Sequence, residues 1–348
     1  MAGGYDVADL VKGQIDRALT EIRHQLYVIQ HCVQMQGVVM ETRWSDTVQD
    51  YYPVTPQPRW GWGKPVHAGL HRCLNRARPT FEAVLENLRR YREALYAVPT
   101  TPTALSPYWD NGWFSCLDAA ALVGFLLMRR PRRYIEIGSG YATLFARHAV
   151  RWGKLETRIT SIDPQPRTDI DGICDDILRC RLEDCAVDLF AALRPGDILF
   201  LDGSHRVFTN SDTTALFFDI LPRLRPGVLV HLHDIFLPAD YPAAWNGRLY
   251  SEQYLLGAML MCGSPPFDVT LPCYFVCTDP SLSTRVKEIF EGRPAAPIPY
   301  LYENDASIPG VSFWLETRPT LFTNSPDSAA SWWQAQDHSL ESAEHDSF

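Results

Sequence analysis

The chain lacks several features that would fix a class at once. Nowhere do about 18 uninterrupted apolar residues occur, so no membrane-crossing helix is expected. The opening stretch MAGGYDVADLVKGQID lacks the cationic-then-apolar plan of a secretory leader. Positive charge is not in excess: 32 Lys and Arg face 41 Asp and Glu, a formal charge of −9, which argues against a phosphate-backbone partner. The nine cysteines include no CxxC pair, and neither Cys273 with Cys277 nor Cys180 with Cys185 makes a good chelate. They read as reduced thiols, mostly buried, in a cytoplasmic protein. No internal repeat is found.

What remains is an ordinary globular composition in 348 residues, enough for one large domain with appendages. Apolar positions Val7, Leu10, Val11, Ile15, Leu19, Ile22, Leu26 and Ile29 keep helical spacing, so an amphipathic helix is expected over 5–35. A Pro/Trp-rich connector (YYPVTPQPRWGWGKP, 51–65) and a helix over Phe81–Val98 follow. The apolar SCLDAAALVGFLLMRR (115–130) reads as a further helix. From Arg133 short apolar strands alternate with helical stretches: YIEIG, TLFARHAVRW, RITSID, DGICDDILRC, DILFLDG, VFTNSDTTALFFDILPRL, VLVHLHD. That alternation predicts a doubly wound, Rossmann-like α/β sheet with ligands beyond the strands' carboxyl ends. Residues 251–261 read as a helix, and FDVTLP and CYFVCTD as strands. The expected organisation is a helical extension or lid over 1–110, the cofactor domain over 111–300 and a C-terminal extension over 301–348. Its acidic last stretch of about 25 residues is expected to be disordered.

YIEIGSGYAT (134–143) carries a strand and a glycine turn. A pyrophosphate loop wants a third glycine where Thr143 stands. Two places before the first glycine stands Glu136, which would repel a phosphate but could receive a cation, directly or through a water or amide. A cofactor with a cationic amino-acid end and no phosphate fits better: S-adenosylmethionine (SAM). The next strand ends in Asp163, placed to accept from a ribose diol; the plainer reading has it cap the next helix. Glu183 or Asp184 falls near the adenine.

YIEIGSG, SIDPQP, GDILFLDGSH and LRPGVLVHLHDI resemble, in order and spacing, the successive motifs of class I SAM-dependent methyltransferases, over about Trp109 to Asp279. The pairing of DGSH with HDIFLPADYP and then YSEQYLL is similar to a bacterial small-molecule group in that class. The resemblance implies Glu136, Gly138, Ser139 and Gly140 at the methionine end and Asp163 at the ribose. Asp202 and Trp113 complete the expected cofactor set.

Methyl transfer is an in-line displacement, so the enzyme aligns the nucleophile and takes its proton. LFLDGSHR supplies Asp202 and His205, and LVHLHD supplies His231, His233 and Asp234. The two strand histidines share one face and could both be core residues. His205 is the expected general base, with Asp202, His233 and Asp234 completing the catalytic set. Asp202, His233 and Asp234 could also hold a divalent cation. Related sugar and catechol O-methyltransferases hold magnesium with an aspartate and then an acidic or amide pair. Here histidine replaces a hard oxygen ligand, and no metal is expected. Tyr108, Trp109, Trp113 and Phe114 precede the first strand, while Tyr241, Trp245, Tyr250 and Tyr254 follow the last motif. Trp109, Tyr241, Trp245 and Tyr250 are expected at the substrate or lid; they could be plain packing, or a cage of ring faces around a sulfonium.

The expectation is methyl transfer to O or N of a small molecule. Two alternatives stand beside it. Some similar proteins cyclise SAM to azetidine-2-carboxylate with release of methylthioadenosine, and a non-catalytic scaffold could keep the fold. Nucleic-acid and membrane partners are not expected, and a homodimer through the N-terminal helix stays open.

Overall fold

Four of the first five strands are buried on both faces, as parallel strands covered by helices must be. The computed structural model describes residues 56–102, 105–114, 116–166, 168–292 and 310–320. The helix expected over 5–35 and the acidic tail lie outside them.

The chain forms two units, one of which joins Met1–Gln57 with Ala243–Arg248. In its described part Asn246 donates to the Pro56 carbonyl at 2.8 Å, and the Arg248 guanidinium lies 3.7 Å from the centre of the Trp245 ring.

The larger unit holds a seven-stranded sheet of order β3-β2-β1-β4-β5-β7-β6. Its strands are β1 (Arg133–Ile137), β2 (Arg158–Ile162), β3 (Asp176–Leu178), β4 (Ile198–Leu201), β5 (Leu229–Leu232), β6 (Phe267–Pro272) and β7 (Phe313–Thr317). β1 to β5 are parallel, and β7 runs antiparallel to both β5 and β6. The order reverses between β1 and β4, which opens a crevice at their carboxyl ends.

Ahead of the sheet come α1 (Ala68–Asn75), α2 (Arg78–Arg90), α3 (Arg92–Tyr96) and α4 (Cys116–Arg129). α2 carries Pro79 in its first turn, where the missing N–H costs nothing, and buries Phe81, Leu85 and Leu88 on one stripe. The single helix expected over Phe81–Val98 breaks at Tyr91 into α2 and α3. α4 is buried along nearly its whole length, between α2 and α5 (Tyr141–Trp152). After β3 come α6 (Asp188–Ala191) and α7 (Asp212–Thr214), which runs on as a π turn (Ala215–Ile220). α8 (Glu252–Met261), α9 (Cys273–Thr278) and α10 (Pro280–Phe290) complete the unit.

Three expectations are corrected. DGICDDILRC, read as helical, contains β3, three residues long at the sheet's edge and too short to show a period. CYFVCTD, read as a strand, is α9; every residue from Cys273 to Cys277 is buried, and a short all-apolar run cannot reveal its period. β7 falls inside the stretch set apart as a C-terminal extension, yet it lies between β5 and β6 within the sheet.

Candidate active site

The strand ends fix the site. Asp202 continues β4, its N–H donating to the Ile137 carbonyl at 2.9 Å, and His233 continues β5, donating to Leu201 at 3.1 Å. Asp163 follows β2 and donates to Leu178 at 3.1 Å. Gly138 takes φ +77°, and a Cβ there would stand 1.8 Å from the Asp202 carbonyl oxygen. Only glycine lets the β1 loop approach β4 this closely.

Within the loop Asp163 works as a brace. Its Oδ2 accepts from the Ser139 N–H and its Oδ1 from the Gln165 N–H, both at 2.8 Å. The Ser139 hydroxyl points inward to Ser161 Oγ at 2.7 Å. Gly140 precedes α5, and a Cβ there would meet nothing within 4 Å. A helix N-terminus beside such open space is a setting for a carboxylate. Glu136 departs from expectation. Its side chain is 0% exposed and accepts from the Thr143 hydroxyl at 3.0 Å, so it stiffens the loop from below instead of lining its open side. Burial pushes its carboxyl up to about 8, against the hydrogen bond of Thr143.

Glu183 and Asp184 form a short 3-10 turn after β3. Arg181 holds Asp184 at 2.8 and 2.9 Å and lies 3.6 Å from Glu183. Beside them the thiols of Cys180 and Cys185 stand 3.1 Å apart.

Beyond β4 and β5 lies a buried network of carboxylates and imidazoles. His205 Nδ1 meets Glu252 Oε1 at 2.5 Å, and its Nε2 faces Asp202 Oδ1 at 3.1 Å and Asp234 Oδ2 at 3.4 Å. His233 Nδ1 faces Asp234 Oδ1 at 3.3 Å and Asp202 Oδ1 at 3.6 Å. Burial pulls both rings down, but the surrounding carboxylates outweigh it and hold both well above the ordinary histidine value. His205 (φ +59°) and Asp234 (φ +56°) both occupy the left-handed region, strain of a kind that gathers at functional sites. Glu252, first residue of α8, escaped the sequence reading because it looks like any acidic residue opening a helix. Asp118, in the first turn of α4, escaped likewise, and its Oδ2 lies 3.6 Å from His233 Nε2.

One donor atom from each of Asp202, His233 and Asp234 lies within 4.8 Å of the others, so the three could take a cation. A nitrogen in that set suits manganese or zinc better than magnesium. His231, though on the same face as His233, is a core residue, stacked 3.7 Å from the Phe200 ring and paired with Ser312 Oγ at 2.8 Å.

The aromatics divide. Trp109, expected at the lid, is 0% exposed; its Nε1 donates to the Leu95 carbonyl at 3.3 Å and its ring meets Phe290 edge-on. It is core, packed against Phe145 and Phe290. Phe114 packs 5.4 Å from the His233 ring, and Trp113, half-buried, donates its N–H to Asn111 Oδ1 at 2.9 Å. Tyr250 lies 4.4 Å from the His205 ring, with Tyr241 edge-on behind it at 5.9 Å. Trp245 belongs to the smaller unit. A cavity of about 450 Å³ lined by Thr80, Val84, Asn87, Met128 and Glu316 lies at the opposite, amino ends of the strands.

Residues 135–235 match the model of a family described as a methyltransferase domain. No curated protein matches the chain. Among solved structures it is similar to the SAH-bound methyltransferase PaMTH1 of Podospora anserina, at 17% identity over 60% of this chain and 93% of that one, TM-score 0.34. An O-methyltransferase from Bacillus cereus in complex with SAH shares 14% identity over 68% and 91%, TM-score 0.30. TomG from Streptomyces achromogenes, an O-methyltransferase of tomaymycin synthesis in complex with SAM, shares 16% over 68% and 89%, TM-score 0.28. Scores this low decide neither substrate nor mechanism. The family match covers β1 to β5 of a doubly wound, Rossmann-like α/β sheet with an antiparallel seventh strand.

Proposed function

We propose that the protein transfers the methyl group of SAM to an oxygen or nitrogen of a small molecule, with Asp202 receiving the acceptor's proton. One observation carries this reading. Asp202 is the one member of the Glu252–His205–Asp202/Asp234–His233 network whose side chain is substantially open, at 31%, and it stands beside the glycine loop.

SAM supplies an electrophilic methyl group on a sulfonium. The open space at Gly140 and the α5 amides suit its carboxylate, and the free lone pairs of Asp163 suit its ribose. His205 serves less well as the general base than its sequence setting suggests, since both its nitrogens already face carboxylates. It holds Asp202 instead, from one side, while His233 holds it from the other. Tyr250, over His205, is the ring best placed to touch an acceptor. Nucleic-acid and membrane partners form no part of this reading; a cytoplasmic setting and a homodimer through 5–35 are further proposals. Among the described residues no helix is long and apolar enough to cross a membrane.

Mass spectrometry of the protein with SAM, with and without an acceptor-bearing extract, tests the reading. S-adenosylhomocysteine formed only with extract is expected, and Asp202→Asn should lower that turnover by ~10²–10⁴ with SAM affinity kept. Rapid methylthioadenosine from SAM alone would replace this reading with cyclisation. For that reaction Trp109, buried in the core, offers no face to a sulfonium.

A further inference from the structure

A carboxylate with no exposure needs a reason, because an unpaired buried charge is costly. Asp118 is 0% exposed. Its Oδ1 accepts from the Ser312 N–H at 2.8 Å, and both oxygens lie 3.0 Å from the Val311 nitrogen. Those backbone bonds hold the entry to β7 against α4, and Gly310 assists, since a Cβ there would stand 3.3 Å from Asp118 Oδ1. A neutral asparagine oxygen could accept the same two N–H groups. What calls for a charge is on the other side: His233 Nε2, buried and without a hydrogen-bond partner, lies 3.6 Å from Asp118 Oδ2. The other ring nitrogen of His233 faces Asp234 and Asp202.

We propose that Asp118 is a positioning residue: it keeps a proton on His233 Nε2 and so fixes the ring against the Asp202–Asp234 carboxylates. The role in turnover rests on the reading of Asp202 as proton acceptor; the state of the ring does not. A carboxylate behind an imidazole sets its tautomer and orientation, as in the triads of hydrolases and behind metal-bound histidines. Three elements distant in sequence meet here: the first turn of α4, the end of β5 and the approach to β7. Phe114 closes the ring's remaining flank at 5.4 Å.

The test uses the full chain labelled with ¹⁵N-histidine, with His233 assigned from the signal that vanishes in H233N. In the unaltered protein Nε2 is expected to carry a proton; a bare Nε2 with the proton on Nδ1 alone overturns the proposal, and this measurement stands whether or not D118N folds. In D118N the amide nitrogen can donate to Nε2, which should then lose its proton and leave Nδ1 as the protonated nitrogen. Turnover to S-adenosylhomocysteine should then fall about 10–100-fold with SAM affinity by calorimetry unchanged. In an H233N background D118N should cost nothing further. The same loss in both backgrounds would make Asp118 a structural residue only. If the unaltered protein forms no S-adenosylhomocysteine with any extract, the methyl-transfer reading fails, while the ring signals still decide the role of Asp118.

Discussion

Glu136 shows how strongly surroundings rule a single side chain. A free glutamate ionises near 4.5, whereas burial pushes this one up to about 8. Between those values the folded form holds the extra proton, so stability falls as pH rises through the window. Glu136→Gln removes that dependence. Its melting temperature should vary less between about pH 5 and pH 8, and at pH 8 it should exceed the unaltered protein by roughly 1–3 kcal/mol in stability. Calorimetric melting at the two pH values checks this, and a less stable glutamine variant at pH 8 would contradict it. Asp163 makes the opposite case: exposed enough to meet a ligand, it also braces the Ser139 amide. Asp163→Ala should weaken SAM at least tenfold, a loss of ~1–3 kcal/mol from the ribose bonds and the freed loop together. Titration calorimetry reads it, and tight binding of NAD with no heat from SAM would sink the cofactor assignment.

Elements are tied by few contacts of high value. Asp279 caps α10, accepting from Ser281 and Leu282 at 3.0 and 3.1 Å, and takes both terminal nitrogens of Arg78 at the start of α2. The Arg78 hydrogen bonds hold its carboxyl well below the usual carboxylate range. With a depressed value the stabilisation is complete above the unfolded carboxylate value and is lost as pH falls through the folded one. Asp279→Ala should cost about 1–2 kcal/mol at neutral pH, as loss of a cap with a charged partner does. Urea unfolding should show that difference shrinking below about pH 4. A constant difference across that range would assign the effect to packing.

For the whole molecule, the cluster at the strand ends poses the question of a cation. His233 and His205 already lie against Asp202 and Asp234, so both carboxylates have imidazole partners within the protein. Turnover should survive EDTA with less than about a twofold loss, since none of these pairings needs a metal to form. A large loss restored by manganese would recast Asp202, His233 and Asp234 as its ligands.

The sequence alone determined the alternation of strands and helices, the glycine turn and the acidic or imidazole residues at three strand ends. These are local signals: Gly138, Asp163, Asp202 and His233 each directly follow or nearly follow an apolar run, and such positions fall at one edge of a parallel sheet. Only the tertiary structure decided that Glu136 lies beneath the loop and that Trp109 is core, because burial depends on what packs from elsewhere. It alone brought in Glu252, Asp118 and β7, which pair across 47, 115 and about 80 residues of chain. No pattern within a short window reports such distances, for a side chain's partner is chosen by the fold's closure, after local propensity has done its part.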